Sequence, residues 1–227
     1  MKRPVFYGAG FPYRSFKELP GKLIVLEGTD GVGRSTQIAM LRQWLEEEGY
    51  AVSDTGLNRS PLTSPGLEAA KLGHTLSPLT MSLFYATDFA DRLENLIIPA
   101  LKAGFVVLSD RYFYSIIARD VVRGADPEWA RKIYGFALKP DIILYLKADI
   151  ATLISRIVHG RGFNYWEAGM DIRCADNLFD SFAAYQSRLM EQFEQLSKEY
   201  GFITVDANRH ANDVFIDLRQ QIRAVIE

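Results

Sequence analysis

Nine consecutive residues, Gly28-Thr29-Asp30-Gly31-Val32-Gly33-Arg34-Ser35-Thr36, match the phosphate-loop spacing G-x-x-x-x-G-K-[ST], except that Arg34 stands at the lysine position. In such a loop, glycines let backbone N–H groups converge on phosphate oxygens. The helix that follows adds its partial positive charge. Gly28, Gly31, Gly33, Arg34, Ser35 and Thr36 are the candidate phosphate-binding set, and Ser35 is placed to ligate Mg²⁺ through its hydroxyl. Arg34 keeps the charge of lysine but is longer, planar and forked. Two consequences stay open: a bidentate clamp on phosphate oxygens, or crowding that slows transfer.

A phosphate loop needs a strand before it and a helix after it. Residues 22–27 form a short apolar run that reads as a buried strand, and 35–48 read as a helix with Ile38, Leu41 and Leu45 on one face. Further strands are expected at 51–54, 105–108, 141–146 and 202–205. Residues 56–65 read as a polar loop. Helical patterns cover 79–98, ending near Pro99, then 127–138 and 151–158. Phe182, Leu189, Phe193 and Leu196 mark a long amphipathic helix, and Phe215, Leu218, Ile222 and Val225 a last one. Alternating strands and helices predict a three-layer α/β domain with a five-stranded parallel sheet, whose ligands bind beyond the carboxyl ends of the strands. Residues 1–20, rich in Gly, Pro and aromatics, read as an irregular arm lying on the domain at 21–227.

Composition narrows the function. The chain has 227 residues, 48% of them hydrophobic, which suits one globular domain. Lys and Arg number 26 against 28 Asp and Glu, so a broadly basic, polymer-binding surface is excluded and nucleic acid is not an expected partner. No apolar run has the length of a membrane span, and no secretory h-region is seen at the start. Cys174 is the lone cysteine, so no internal disulfide or thiolate cluster forms. A cytoplasmic location is the expectation.

Asp110-Arg111-Tyr112, with Ser115 and Ala118 behind it, resembles the DRY-x-x-S-x-x-A signature of thymidylate kinases. The acidic residue at the third position of the phosphate loop, Pro140-Asp141, the Arg156…Arg161-Gly162 region and Val205-Asp206-Ala207 are similar to that family in the same order. The resemblance spans about residues 22–227. It implies a P-loop fold, ATP and Mg²⁺, and transfer of the γ-phosphoryl group to a nucleoside monophosphate, most simply dTMP. Arg34, Asp110, Arg156 and Arg161 are then the catalytic candidates, with the two last in a lid at about 156–176. Ser35 and Asp110 become the metal candidates. Asp30, Arg59, Tyr85, Phe89, Arg111 and Ser115 become the acceptor-binding candidates. The family also implies a homodimer built through helices beside the sheet.

The base-binding part departs from the family pattern. Counting back from Pro99 puts Tyr85 at the position of the base-stacking aromatic and Phe89 at that of the base-binding arginine. Arg92, one turn further, is a substitute. Arg119 replaces the aromatic that crowds the sugar. In the lid, Phe163, Tyr165 and Trp166 either close over a base or pack on the arm, and packing on the arm is the expectation. His159 reads as a solvated helix-end residue. Two alternatives therefore stand beside dTMP phosphorylation: a kinase of the same fold with another nucleotide or nucleoside as acceptor, and a nucleotide-binding module without catalysis.

Overall fold

The computed structural model describes residues 3–13 and 15–227. β1 (Lys22–Gly28) runs into α1 (Arg34–Glu47) through the phosphate loop, and β2 (Val52–Gly56) follows. Then come α2 (Ser64–Leu72), α3 (Pro78–Arg92) and α4 (Ile98–Lys102) before β3 (Val106–Asp110). After α5 (Phe113–Val122) and α6 (Pro127–Ile133), β4 (Ile142–Lys147) enters the sheet. The chain closes with α7 (Ile150–His159), α8 (Leu178–Tyr200), β5 (Ile203–Asp206) and α9 (Ala211–Ile226). The five strands are parallel in the order β2-β3-β1-β4-β5, as the alternation of elements predicts.

Strand residues alternate between two cores. Leu23 and Val25 face the core built with α3, α5 and α8, whereas Ile24 and Leu26 face the one built with α1, α7 and α9. With both faces covered, β1 reads as a continuous apolar run. Its last side chain, Glu27, is the exception, fully buried at the carboxyl edge.

Four elements differ from expectation. The loop at 56–65 gives way to α2 at Ser64, with Pro65 in the first turn where its missing N–H is not needed. Helix α5 was not expected. Seven of its ten residues are buried, and its apolar spacing at Phe113, Tyr114, Ile117, Ala118 and Val121 is helical but lasts fewer than three turns. The helix at 79–98 does not stop at Pro99. A π-helical turn, Leu93–Ile97, widens the coil just before it, and α4 carries Pro99 in its first turn and runs on to Lys102. The helix at 127–138 ends at Ile133, and Leu138 instead bridges to Phe6 of the arm.

The arm lies at the amino-terminal end of the sheet. Tyr7 packs on Phe113 and Tyr200, and its hydroxyl is 2.6 Å from that of Tyr114. The lid aromatics do not join it. Phe163 packs on Phe179 and Phe182, while Tyr165 and Trp166 sit on His74. The lid follows α7 on the carboxyl side of the sheet, so its rings reach α8 and the α2–α3 turn. Among the described residues, no helix is long and apolar enough to cross a membrane.

Candidate active site

The phosphate loop is shaped by close contact. A Cβ on Gly28 would lie 2.7 Å from the Leu146 carbonyl, and Gly33 has φ of 101°, so neither position suits another residue. Arg34 turns back into this loop. Its Nη1 donates to the carbonyls of Gly28 and Thr29, each at 2.5 Å, and its Nε donates to Asp110 Oδ1 at 2.8 Å. Ser35 Oγ lies 3.2 Å from the other oxygen, Asp110 Oδ2. Burial raises the Asp110 carboxyl, but Arg34 and Arg111 outweigh it and hold the group below its ordinary pKa.

The strand end that carries Asp110 is fastened by Glu27. Glu27 Oε1 accepts from the backbone N–H of Tyr112 at 2.8 Å and of Ser115 at 3.4 Å, and Oε2 accepts from Ser115 Oγ at 2.6 Å. A buried carboxylate thus caps the start of α5, where helix N–H groups lack partners. Burial pushes its pKa up, while these donors favour the charge. Arg111, between strand and helix, takes φ of 72°. Its N–H donates to Leu26 at 2.9 Å, and its carbonyl accepts from Ser109 Oγ at 2.6 Å. A left-handed arginine costs about 1–2 kcal/mol, and such strain gathers at functional sites.

Asp30, at the tip of the phosphate loop, is almost wholly buried. Arg111 donates to it, and Arg119 Nη2 sits 3.1 Å from both its oxygens. Burial raises the Asp30 carboxyl, but Arg111, Arg119 and Arg34 together force it well below the usual carboxylate range. Arg111 and Arg119 also line a cavity of about 200 Å³ between α3, α5 and the lid, with Lys71, Tyr85 and Trp166 further along its wall. This cavity is cationic where it meets the phosphate loop and aromatic beyond.

On the other side of the loop, a second cavity of about 640 Å³ lies between Gly31–Thr36 and the segment after β5. Arg156 spans it, donating to the carbonyls of Val32 at 2.9 Å and Ala207 at 2.8 Å. The other lid arginine, Arg161, is 60% exposed and pairs with Glu167 at 2.5 Å. Glu167 borders the first cavity, so the two lid arginines stand at different cavities.

Three acceptor candidates lie away from the first cavity. Phe89 is fully buried among Tyr112, Phe113, Tyr134 and Phe136. Ser115 is spent on Glu27. Arg59 is about half exposed and pairs with Asp54 at 3.0 Å. Arg92 forms a buried pair with Asp88 at 2.9 Å, and the Asp88 carboxylate accepts from the N–H groups of Asn58 and Ser60. It shapes the loop after β2 instead of facing the cavity.

Sequence reasoning missed Glu27, Arg123 and Gln186. Glu27 had a visible signal, a charge ending an otherwise apolar strand run. Arg123 pairs with Asp171 through two nitrogens and donates to the Trp166 carbonyl, which ties the lid to α5. Its signal was slight, one arginine among several.

The donor set fits a magnesium ion. Among the described residues no group of three His, Cys, Asp or Glu side chains converges. Ser35 and Asp110 do converge, and Mg²⁺ in nucleotide sites takes one or two protein oxygens and completes its shell with phosphates and water.

The profile of the family described as Thymidylate kinase matches residues 26–217. The chain is 41% identical over 209 residues to the probable thymidylate kinase 2 of Saccharolobus solfataricus, covering 91% of this chain and 98% of that one. It is 33% identical over 208 residues to the probable thymidylate kinase of Thermococcus gammatolerans, covering 87% and 94%. With the thymidylate kinase of Caldicellulosiruptor saccharolyticus the identity is 31% over 214 residues, covering 90% and 97%.

Proposed function

The chain belongs to the thymidylate kinase family, and from that membership we propose that it transfers the γ-phosphoryl group of ATP to dTMP, giving ADP and dTDP. One observation carries the reading at the level of geometry. The phosphate loop sits between two cavities, and two ion pairs, Arg34–Asp110 and Arg111–Asp30, stand side by side there, joined through the chain at 110–111. Donor and acceptor phosphates would meet there.

ATP occupies the cavity crossed by Arg156, with its phosphates on the N–H groups of Gly28–Thr36. Arg34 exchanges the loop carbonyls and Asp110 for β- and γ-phosphate oxygens. Arg111 and Arg119 receive the acceptor phosphate, and Tyr85 and Trp166 face its base. Arg161, released from Glu167, brings positive charge to the transferring group. Catalysis by this set is positioning and charge neutralisation, with no covalent intermediate on the protein. Ser35 and Asp110 would hold Mg²⁺, which when bound offsets phosphate charge.

The exposed leucines Leu62, Leu72, Leu79 and Leu83, on and beside α2 and α3, support a homodimer through these helices. The substrates suit the cytoplasm. A second reading, another nucleoside monophosphate as acceptor, is favoured by the burial of Phe89 and by Arg119 on the cavity wall.

The test is ADP release from Mg-ATP across a panel of nucleoside monophosphates and nucleosides. Strong stimulation by dTMP is expected. Stimulation by a different acceptor alone would establish the second reading, and silence across the panel would overturn both.

A further inference from the structure

The buried face of α8 is apolar or aromatic at Phe182, Tyr185, Leu189, Phe193 and Leu196, and polar at Ser181, whose hydroxyl donates to the Ala168 carbonyl of the lid at 2.7 Å, and at Gln186, which is completely buried and alone reaches the phosphate loop as well. A buried amide is costly unless its hydrogen bonds are made. Here they are made to two separate segments. Gln186 Oε1 accepts from the Asp30 N–H at 3.2 Å, and Nε2 donates to Asp30 Oδ2 at 3.2 Å and to the Glu167 carbonyl at 2.7 Å. The reverse amide orientation would set N–H against the Asp30 N–H, so the network fixes the side chain one way round.

We infer that Gln186 is a positioning residue that locks the phosphate loop to the lid, so that Asp30 and the lid strip at 164–170 keep a fixed relation during transfer. The inference rests on the reading of the first cavity as the acceptor site. On one side, Asp30 carries Arg111 and Arg119, both on the cavity wall. On the other, Glu167 carries Arg161, and the neighbouring Trp166 lines the same cavity. Gln186 is the neutral link between these two charged pairs. Its neighbour Tyr185 adds a second grip, since its hydroxyl accepts from the Arg123 that holds Asp171 and the Trp166 carbonyl.

Neutrality suits the task. A cation at this place would compete with Arg111 and Arg119 for Asp30. A carboxylate could not donate to Asp30 and the Glu167 carbonyl together, and would repel the former. An aliphatic side chain of similar size would fill the space and leave the Asp30 N–H and the Glu167 carbonyl without this partner. Gln186 therefore acts on reactivity through geometry, and it touches neither phosphate.

The test uses the full chain with Gln186→Leu and has two arms. The first is amide hydrogen exchange of the lid peptides without ligand. Exchange at 164–170 is expected to rise about tenfold, the scale of one net hydrogen bond lost in a buried link, with α1 and α9 unchanged. The second is steady-state kinetics with Mg-ATP and dTMP. The expected result is kcat lower by about tenfold or more with KM for ATP little changed, and more ADP formed than dTDP because the loosened lid admits water. Unchanged lid exchange, or unchanged kcat, overturns the inference. If Gln186→Leu does not fold, Gln186→Met, with an unbranched and adaptable side chain, is judged by the same results. Should the wild-type chain not phosphorylate dTMP, the proposed function falls, and the exchange arm still decides the role of Gln186.

Discussion

Arg34 Nε lies 2.8 Å from Asp110 Oδ1, so the cation at the lysine position of the phosphate loop is paired with the carboxylate that faces Ser35. Both groups are largely buried. Nucleotide phosphates would draw Arg34 away and free Asp110, which would couple nucleotide binding to metal binding. Arg34→Ala is expected to separate the two. The rate of transfer should fall by about two to three orders of magnitude, as when a preorganised donor is removed. The affinity for Mn²⁺ without nucleotide should rise several-fold, because Asp110 loses its competing partner. Rapid-quench kinetics and electron paramagnetic resonance of free Mn²⁺ read the two effects. Weaker metal binding in the variant would sink the coupling.

Asp120 gives a pH-dependent prediction. Burial pushes its carboxyl up to about 6 against 3.8 for a free group, and Ser82, Arg123 and Arg119 nearby only partly offset this. Its Oδ2 has no hydrogen-bond partner. The folded state therefore holds this proton more tightly than the unfolded chain. The stabilisation is full below the unfolded pKa near 4 and is lost as pH rises toward 6, a difference on the order of 3 kcal/mol. Asp120→Asn should raise the urea midpoint at pH 8 and change it little at pH 4. A less stable variant at pH 8 would contradict the account.

The sheet was legible because each strand is a short apolar run with a turn behind it, and the phosphate loop was legible because its spacing is rigid. Helix α5 was missed because its helical spacing lasts fewer than three turns, and Glu27, which caps it, is 86 positions before the N-terminal residue Phe113. The site was half legible. Asp30, Tyr85 and Arg111 adjoin or line the first cavity because motif spacing fixes them at strand ends or on a helix face. Phe89 could not be placed by counting: it shares the face of Tyr85, but one turn further along α3 that face has passed from the cavity wall into the aromatic core. Gln186 has no local signature at all, because its partners lie 156 and 19 residues away.

Arg119 is expected to act on acceptor binding. One of its nitrogens holds Asp30, and the side chain lines the first cavity. Arg119→Ala should raise KM for dTMP by about tenfold, the scale of a lost charge-assisted hydrogen bond, with KM for ATP unchanged. Arg119→Lys keeps the charge without the fork, so it should recover only part of the loss. Equal effects on both substrates would point to general disruption of the phosphate loop.

Phe89 stands where an arginine would restore the family pattern, yet its ring is enclosed by four aromatic residues. Phe89→Ala should cost about 3–5 kcal/mol, and Phe89→Arg should cost more, because a second buried cation would stand beside the Arg92 guanidinium, which already takes the Asp88 carboxylate. Urea unfolding followed by circular dichroism measures both. A stable Phe89→Arg protein would mean that α3 can rotate this position toward the cavity.

Removal of residues 1–20 separates stability from function. The arm binds at the amino-terminal end of the sheet: the N–H groups of Tyr7, Gly8 and Lys139 join it to residues 135–139, and Tyr7 covers Phe113, Tyr114 and Tyr200. The phosphate loop opens at the other end of β1, some seven residues further along, roughly 20 Å at the usual rise. Truncation should therefore uncover aromatic core and lower Tm by about 10 °C, the effect of some 3–4 kcal/mol in a chain of this size. KM for ATP, measured well below that Tm, should stay as it was. A loss of ATP affinity would mean that the arm reaches the phosphate loop through Phe113 and Tyr114 of α5, whose first turn is fixed by Glu27.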